Sequence, residues 1–257
     1  MTIKKRQYKL IEFVRRRGKV SVEDLATLLS ASRETIRRDL THLSEIGKIQ
    51  KVHGGARMPH IMGEGSFKQR QSEHVDAKMA IAHLAADLFN PGETLFVDTG
   101  STTLFFVEAI GNAGVNDLTI ITNSTAIART CATANRNTRT FLLGGEFSAD
   151  NSQTIGAVAT TQIRSFRAHH AILTIGALDA RSGAMDYNVD EAQIARAMVE
   201  QSESVTVLAD SSKMGALASF EVCPLIAIDR LVTDKAPPND MLEDLEAAGI
   251  KVIYPNP

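Results

Sequence analysis

Cysteine is scarce: Cys131 and Cys223 are the only two in 257 residues. Two thiols are too few for a disulfide framework or a cysteine-based zinc site, and a reducing, cytoplasmic setting is the expectation. No apolar run approaches the ~18–20 residues that a membrane helix needs, so no membrane partner is expected. Near the N-terminus, Glu12 and Arg15-Arg16-Arg17 interrupt what would have to be the apolar core of a signal peptide. Internal repeats and low-complexity tracts are missing as well. A chain that is 44% hydrophobic and 23% charged is neither disordered nor collagen-like. Its length suits one large domain or two unequal ones.

A large overall charge is also lacking, because the formal net is −2. The distribution is lopsided, however. Residues 1–57 hold 14 Lys and Arg against 6 Asp and Glu, a net of +8; subtraction from the chain totals of 28 and 30 leaves 14 and 24, a net of −10, for the remainder. A basic head on an acidic body points to a polyanion as the partner of the head alone.

The head reads as three helices and a hairpin. The first helix runs from about Ile3 to Arg17, with Leu10, Ile11 and Val14 inward, and Gly18 ends it. The second covers about Val22 to Ser30, with Val22, Leu25, Ala26 and Leu29 at i, i+3, i+4 and i+7. Ser32 is an N-cap for the third, which buries Ile36, Leu40, Leu43 and Ile46 and stops at Gly47. Lys48 to Val52 reads as a short strand turned by Gly54-Gly55. Two short helices with a tight turn before an arginine-bearing third helix are the helix-turn-helix pattern. Arg33, Thr35 and Arg37 would meet base edges in the major groove, Arg38 phosphate, and Lys51 and His53 the backbone from a wing, with Ser32 also counted among the DNA-binding residues. The competing reading is a small protein-binding helical domain on the same scaffold.

Residues 58–75 lose apolar periodicity and read as a linker. From 76 onward, helices alternate with short apolar strands at 94–97, 118–121, 140–143, 171–175 and 205–209, which predicts a mainly parallel sheet covered on both faces. The turn Asp98-Thr99-Gly100-Ser101-Thr102-Thr103 lies between a strand and a helix. Its amides and hydroxyls suit an anion at the helix N-terminus. No Walker lysine follows, which excludes nucleotide hydrolysis of that type. Thr122-Asn123-Ser124, Gly144-Gly145-Glu146 and Asp210-Ser211-Ser212-Lys213 also follow strands and converge on the same end of the sheet. Lys213 would supply a cation, while Asp98, Asp190 or Glu191 would accept hydroxyls. His169-His170 has no further ligand at metal spacing, so no metal site is assigned. No catalytic residue and no cofactor are assigned either.

Ser32-Arg33-Glu34-Thr35-Ile36-Arg37-Arg38-Asp39-Leu40, with Val20 to Ala26 before it and His53-Gly54-Gly55-Ala56 after it, resembles the DeoR-type bacterial transcription repressors. The resemblance continues through Val97-Asp98-Thr99-Gly100-Ser101-Thr102-Thr103 and Asp210-Ser211-Ser212-Lys213-Met214-Gly215. It implies a winged helix-turn-helix over 1–57 and an α/β effector and oligomerisation domain over 76–257, similar to ribose-5-phosphate isomerase. By that analogy Gly100, Ser101, Thr102 and Thr103 match a phosphate loop, and Lys213 matches the family lysine. Asp98, Asn123 and Glu191 would contact the sugar, and Asp186 to Glu191 would set selectivity.

The implied function is repression of a carbohydrate or polyol catabolic operon. Double-stranded operator DNA, a phosphorylated sugar or polyol, and a second copy of the chain, in a dimer or tetramer, are the partners. The alternative is an isomerase-like enzyme with a DNA-binding head, although the isomerase's aspartate-rich and lysine-glycine motifs are not found. A purely structural DNA-binding protein would leave the second domain without a task.

Overall fold

The protein was described from a computed structural model, which describes residues 3–17, 19–45, 49–52, 54–57, 65–134 and 137–255. The chain forms two compact units, residues 1–62 and 63–257. Gly18, Ile46, Gly47, Lys48 and His53, which carry part of the sequence reading of the head, lie outside the described residues.

The first unit runs α1 (Ile3–Arg17), β1 (Lys19–Ser21), α2 (Val22–Leu28), α3 (Arg33–Glu45), β2 (Gln50–Val52) and β3 (Gly55–Arg57). Its helical stripes meet in one core of Leu10, Val14, Leu25, Ile36, Leu40 and Leu43. Ser21 caps α2 by accepting from the Asp24 amide at 3.0 Å, and Ser32 caps α3 by accepting from the Thr35 amide at 3.1 Å. The periodicity did not reveal β1, whose three residues are too few to show a period. It pairs antiparallel with β3 and completes a three-stranded sheet in the order β1-β3-β2. Gly55 is required there, because a Cβ would overlap the Val20 carbonyl.

The second unit begins with α4 (Phe67–Ser72) and α5 (Val75–Ala86). The segment read as linker therefore differs in its second half: α4 buries Phe67 and is capped by Ser66. Six residues are too short for a helical period to stand out. The chain continues through β4 (Thr94–Val97), α6 (Ser101–Asn112), β5 (Thr119–Thr122), α7 (Thr125–Ala134), β6 (Arg139–Leu142), the hairpin β7 (Glu146–Ser148) and β8 (Gln153–Ile155), and α8 (Gly156–Ile163). Then follow β9 (Ala168–Leu173), β10 (Ala177–Asp179), β11 (Gly183–Asp186), α9 (Val189–Glu200), β12 (Ser202–Leu208), β13 (Phe220–Cys223), β14 (Arg230–Val232), α10 (Asn239–Ala247) and β15 (Lys251–Ile253).

Seven strands form a parallel sheet in the order β15-β14-β12-β9-β4-β5-β6. Alternation along each strand feeds two cores. Leu95, Val97, Ile120, Ile172 and Leu208 pack with Ile81, Phe106 and Ile127 of α5, α6 and α7. Phe96, Ile121, Leu173 and Val207 pack with Ile163, Ala195 and Leu245 of α8, α9 and α10. From β4 the chain winds first toward β5 and β6, then returns to β9 and proceeds the other way. The crevice between the carboxyl ends of β4 and β9 is thus the point where strand order reverses, the place where open α/β sheets bind ligands. Cys131 and Cys223 are buried, and burial pushes their thiols up to about 11 and about 12, so both remain protonated core residues.

Candidate functional site

At that crevice lies a cavity of about 180 Å³. The turn after β4 contributes Thr99, Ser101 and Thr102; β9 leads to Thr174 and Ile175; β12 leads to Asp210, Ser212 and Lys213. Gly100 occupies the N-cap of α6 and can offer no capping side chain. The first amides of this twelve-residue helix, beside the Ser101 and Thr102 hydroxyls, therefore face an anion-sized space at a positive dipole end. Gly100 is extended, and a methyl there would overlap the Thr174 side chain, so its role is close approach of β4 to β9.

Four of the eight residues expected at the ligand line the cavity: Ser101, Thr102, Glu191 and Lys213. Gly100 and the other three stand behind it. Thr103 is fully buried and its hydroxyl donates to the Asp98 and Gly100 carbonyls at 3.0 and 3.1 Å. Asn123 donates to the Thr154 carbonyl at 3.0 Å and to Gln153 Oε1 at 3.2 Å, and accepts from Thr99 Oγ1 at 3.1 Å. Asp98 accepts from the Thr174 amide at 2.9 Å, which fastens the two sides of the crevice together. Burial pushes the Asp98 carboxyl well above its usual range; Asp186 and Glu191 push the same way, while the Thr174 amide opposes them.

Sequence reasoning missed the opposite wall. Gly65, Arg70, Glu73, His74 and Lys78 line it, all from the segment that leads into the body. Lys78 is only 4% exposed, and its ammonium donates to the Arg70 and Glu73 carbonyls, which end α4. His74 holds a left-handed backbone (φ 52°) at the start of α5, turning the chain between α4 and α5. A buried lysine on an otherwise apolar helix face was the available signal, and it was readable from Lys78 next to Ile81, Ala82 and Ala85. Three cations, Arg70, Lys78 and Lys213, thus share one small cavity with four acids, Glu73, Asp186, Glu191 and Asp210. The Asp210 loop is pre-organised: Asp210 accepts from the Ser212 amide at 2.9 Å, and Asp234 accepts from the Ser211 amide at 2.6 Å.

In the first unit, α3 presents Arg33, Arg37 and Arg38 to solvent. Arg33 and Arg37 share a face at i and i+4. Arg33 sits 3.4 Å from Glu23 of α2, and Arg38 lies 3.5 Å from Glu34, both exposed pairs that cost little to break. Ser32 and Thr35 are joined hydroxyl to hydroxyl at 2.8 Å within the cap, so their first task is to fix the start of α3. Lys51 of β2 donates to Thr41 Oγ1 at 2.9 Å, placing a wing cation beside α3. An internal fastening was missed: Asp39 on the inner side of α3 accepts from Arg6 and Gln7 of α1. That bond raises the already high pKa of Arg6.

The DeoR-like helix-turn-helix domain matches residues 6–61 and the DeoR C terminal sensor domain matches residues 73–235. The HTH-type transcriptional repressor CsqR of Escherichia coli (strain K12) is 32% identical over 97% of this chain and 95% of its own. The glycerol-3-phosphate regulon repressor of the same strain is 32% identical over 92% of each chain. Among solved structures, ribose 5-phosphate isomerase A from Methanocaldococcus jannaschii is similar over 55% of both chains, with a TM-score of 0.42 and 16% identity. Matched by both domains and by relatives along nearly its whole length, the chain belongs to the DeoR family.

Proposed function

We propose that this protein is a transcriptional repressor acting in the cytoplasm, whose head binds operator DNA and whose body senses a phosphorylated sugar or polyol. The observation that carries the ligand reading is the cavity. An uncapped helix N-terminus and three cations suit a phosphate dianion. Glu191, Asp186 and Asp210 on the same lining suit hydroxyl groups. The relatives named as repressors, one of them of a glycerol-3-phosphate regulon, support the same reading. The exposed Arg33, Arg37 and Arg38 on α3, on a head of net charge +8, support DNA as the partner of the first unit.

One recognition helix reads too few base pairs to select an operator, so the repressor works as a homo-oligomer, a dimer or tetramer, on repeated half-sites. The acidic body supplies the contacts between copies. The ligand acts by binding two conformations of the repressor unequally. The body is a sensor and not an isomerase; an aldose–ketose interconversion assay is expected to give no turnover, and turnover would overturn this point.

A thermal-shift screen with sugar phosphates, polyol phosphates and their dephosphorylated counterparts tests the ligand reading. A true ligand at a hundredfold excess over its dissociation constant stabilises by about 2.7 kcal/mol. Its counterpart without phosphate is expected to give a much smaller shift. Equal shifts with both, or none with any ester, would remove the phosphate from the cavity.

A further inference from the structure

The two sides of the cavity are joined by one unbroken series of side-chain hydrogen bonds. Thr99, in the turn after β4, donates to Asn123 at 3.1 Å. Asn123 donates to Gln153 at 3.2 Å, and Gln153 donates to Glu191 Oε1 at 2.9 Å. The same Glu191 oxygen accepts from Asn151 Nδ2, in the β7–β8 turn. Asn151 Oδ1 then accepts from Arg70 Nη2 of α4 at 3.1 Å. Each link joins different elements, and both Arg70 and Glu191 line the cavity. The chain that leaves the DNA-binding unit enters the body through this same α4, only a few residues beyond the boundary at 62.

Resting on the repressor reading above, we propose that Asn151 is a positioning residue that couples the cavity to the DNA-binding unit by holding Arg70, and with it α4, against Glu191. Asn151 does not line the cavity, so it acts through its two neighbours. A phosphate in the cavity attracts Arg70, and a ligand hydroxyl competes for Glu191. Both effects draw on the two bonds that Asn151 makes. Occupation therefore loosens the Arg70 side chain of α4, while Lys78 and the buried Phe67 still hold its backbone, and so changes how firmly the body holds the start of its chain. The switch in this proposal is the Arg70–Asn151–Glu191 tie, made in this structure and broken on occupation, because coupling between separate sites requires two states.

The test uses the full chain and a duplex that the parent protein selects from a random pool, without any small ligand. Asn151→Ala removes the tie and is expected to weaken duplex binding at least tenfold. Asn151→Gln keeps both an acceptor for Arg70 and an amide donor for Glu191 and is expected to bind within threefold of the parent. Hydrogen exchange supplies a readout that a merely structural turn residue would not move. In Asn151→Ala, amides of 67–72 should exchange at least tenfold faster, while those of α8, next after the hairpin, stay unchanged. Parent-like binding by Asn151→Ala overturns the proposal, as do equal losses in both variants or a loss with α4 exchange unaltered. A parent that selects no duplex overturns the repressor reading itself, and this inference falls with it.

Discussion

The two units treat charge in opposite ways. The head sends its arginines outward: Arg33 is 66% exposed and Arg38 82%. Among the described residues it fastens Arg6 to Asp39 on the inner side of α3. The body draws charge inward at one end of its sheet, with Lys78, Asp98 and Asp210 all buried around the reversal of strand order. Exposed cations spread along a helix suit a long, hydrated polyanion that is met by surface contact. Buried and half-buried charges of both signs suit a small ligand that must be stripped of water and oriented. The same residue types thus serve two recognition tasks, separated by how far the fold withdraws them from solvent.

The two units should respond differently to a charge placed where only one of them meets it. Ser101→Asp puts a carboxylate at the N-terminus of α6. A unit charge ~4 Å from a charge of the ligand at an effective dielectric of about 20 costs on the order of 4 kcal/mol for that pair. Calorimetry should find phosphate-ester binding abolished while operator binding stays within twofold. Asp39→Ala is the converse, because it leaves Arg6 without its carboxylate in a unit that spans only residues 1–62. A loss of about 3 kcal/mol is expected for the head alone. Circular dichroism should show its helices melting first, with ligand binding by the body intact.

Lys213→Ala should weaken phosphorylated ligands by about 1.5–3 kcal/mol and dephosphorylated ones far less. Equal weakening by titration calorimetry would remove Lys213 from the phosphate. In the head, Arg33→Ala and Arg37→Ala should each cost about 1–3 kcal/mol on operator and relax preference at one position, whereas Lys51→Ala should weaken all duplexes alike and lower the salt slope by about one. Binding to operator and scrambled duplexes across a salt series separates these outcomes.

The smallest effect concerns Asp98. Its folded carboxyl pKa lies above the unfolded value, so the folded state holds the extra proton. Its contribution to stability is complete below the unfolded pKa and is lost as pH rises through the folded pKa. Asp98→Asn keeps an acceptor for the Thr174 amide and cannot ionise. The melting temperature of the variant relative to the parent should therefore climb across that window, and a pH-independent difference would contradict it.

What the sequence revealed follows the same division. The head was legible because α3 is long enough to show its stripe of Ile36, Leu40 and Leu43, and its arginines are where an exposed helix face leaves them. The turn from Asp98 to Thr103 drew notice only with the family resemblance beside it, because a polar turn between a strand and a helix is common. The sequence did not disclose which of those polar residues face the cavity. Thr103 and Asn123 sit at the right end of the sheet, but their side chains are spent on the Asp98, Gly100 and Thr154 carbonyls. That outcome depends on neighbours distant along the chain. The wall from Arg70 to Lys78 escaped notice for the same reason: a six-residue helix has too little periodicity, and its cations gain meaning only from tertiary placement.

The central claim is that an anionic ligand in the body alters the affinity of the head for DNA. It is tested most directly by fluorescence anisotropy on a selected operator duplex, titrating the full chain with and without the phosphate ester that gives the largest thermal shift. The operator dissociation constant is expected to change about fivefold or more with the ester, within the usual range of coupling energies, and not at all with its dephosphorylated counterpart or in Ser101→Asp. An unchanged operator affinity at saturating ester, or an equal change in Ser101→Asp, would contradict it.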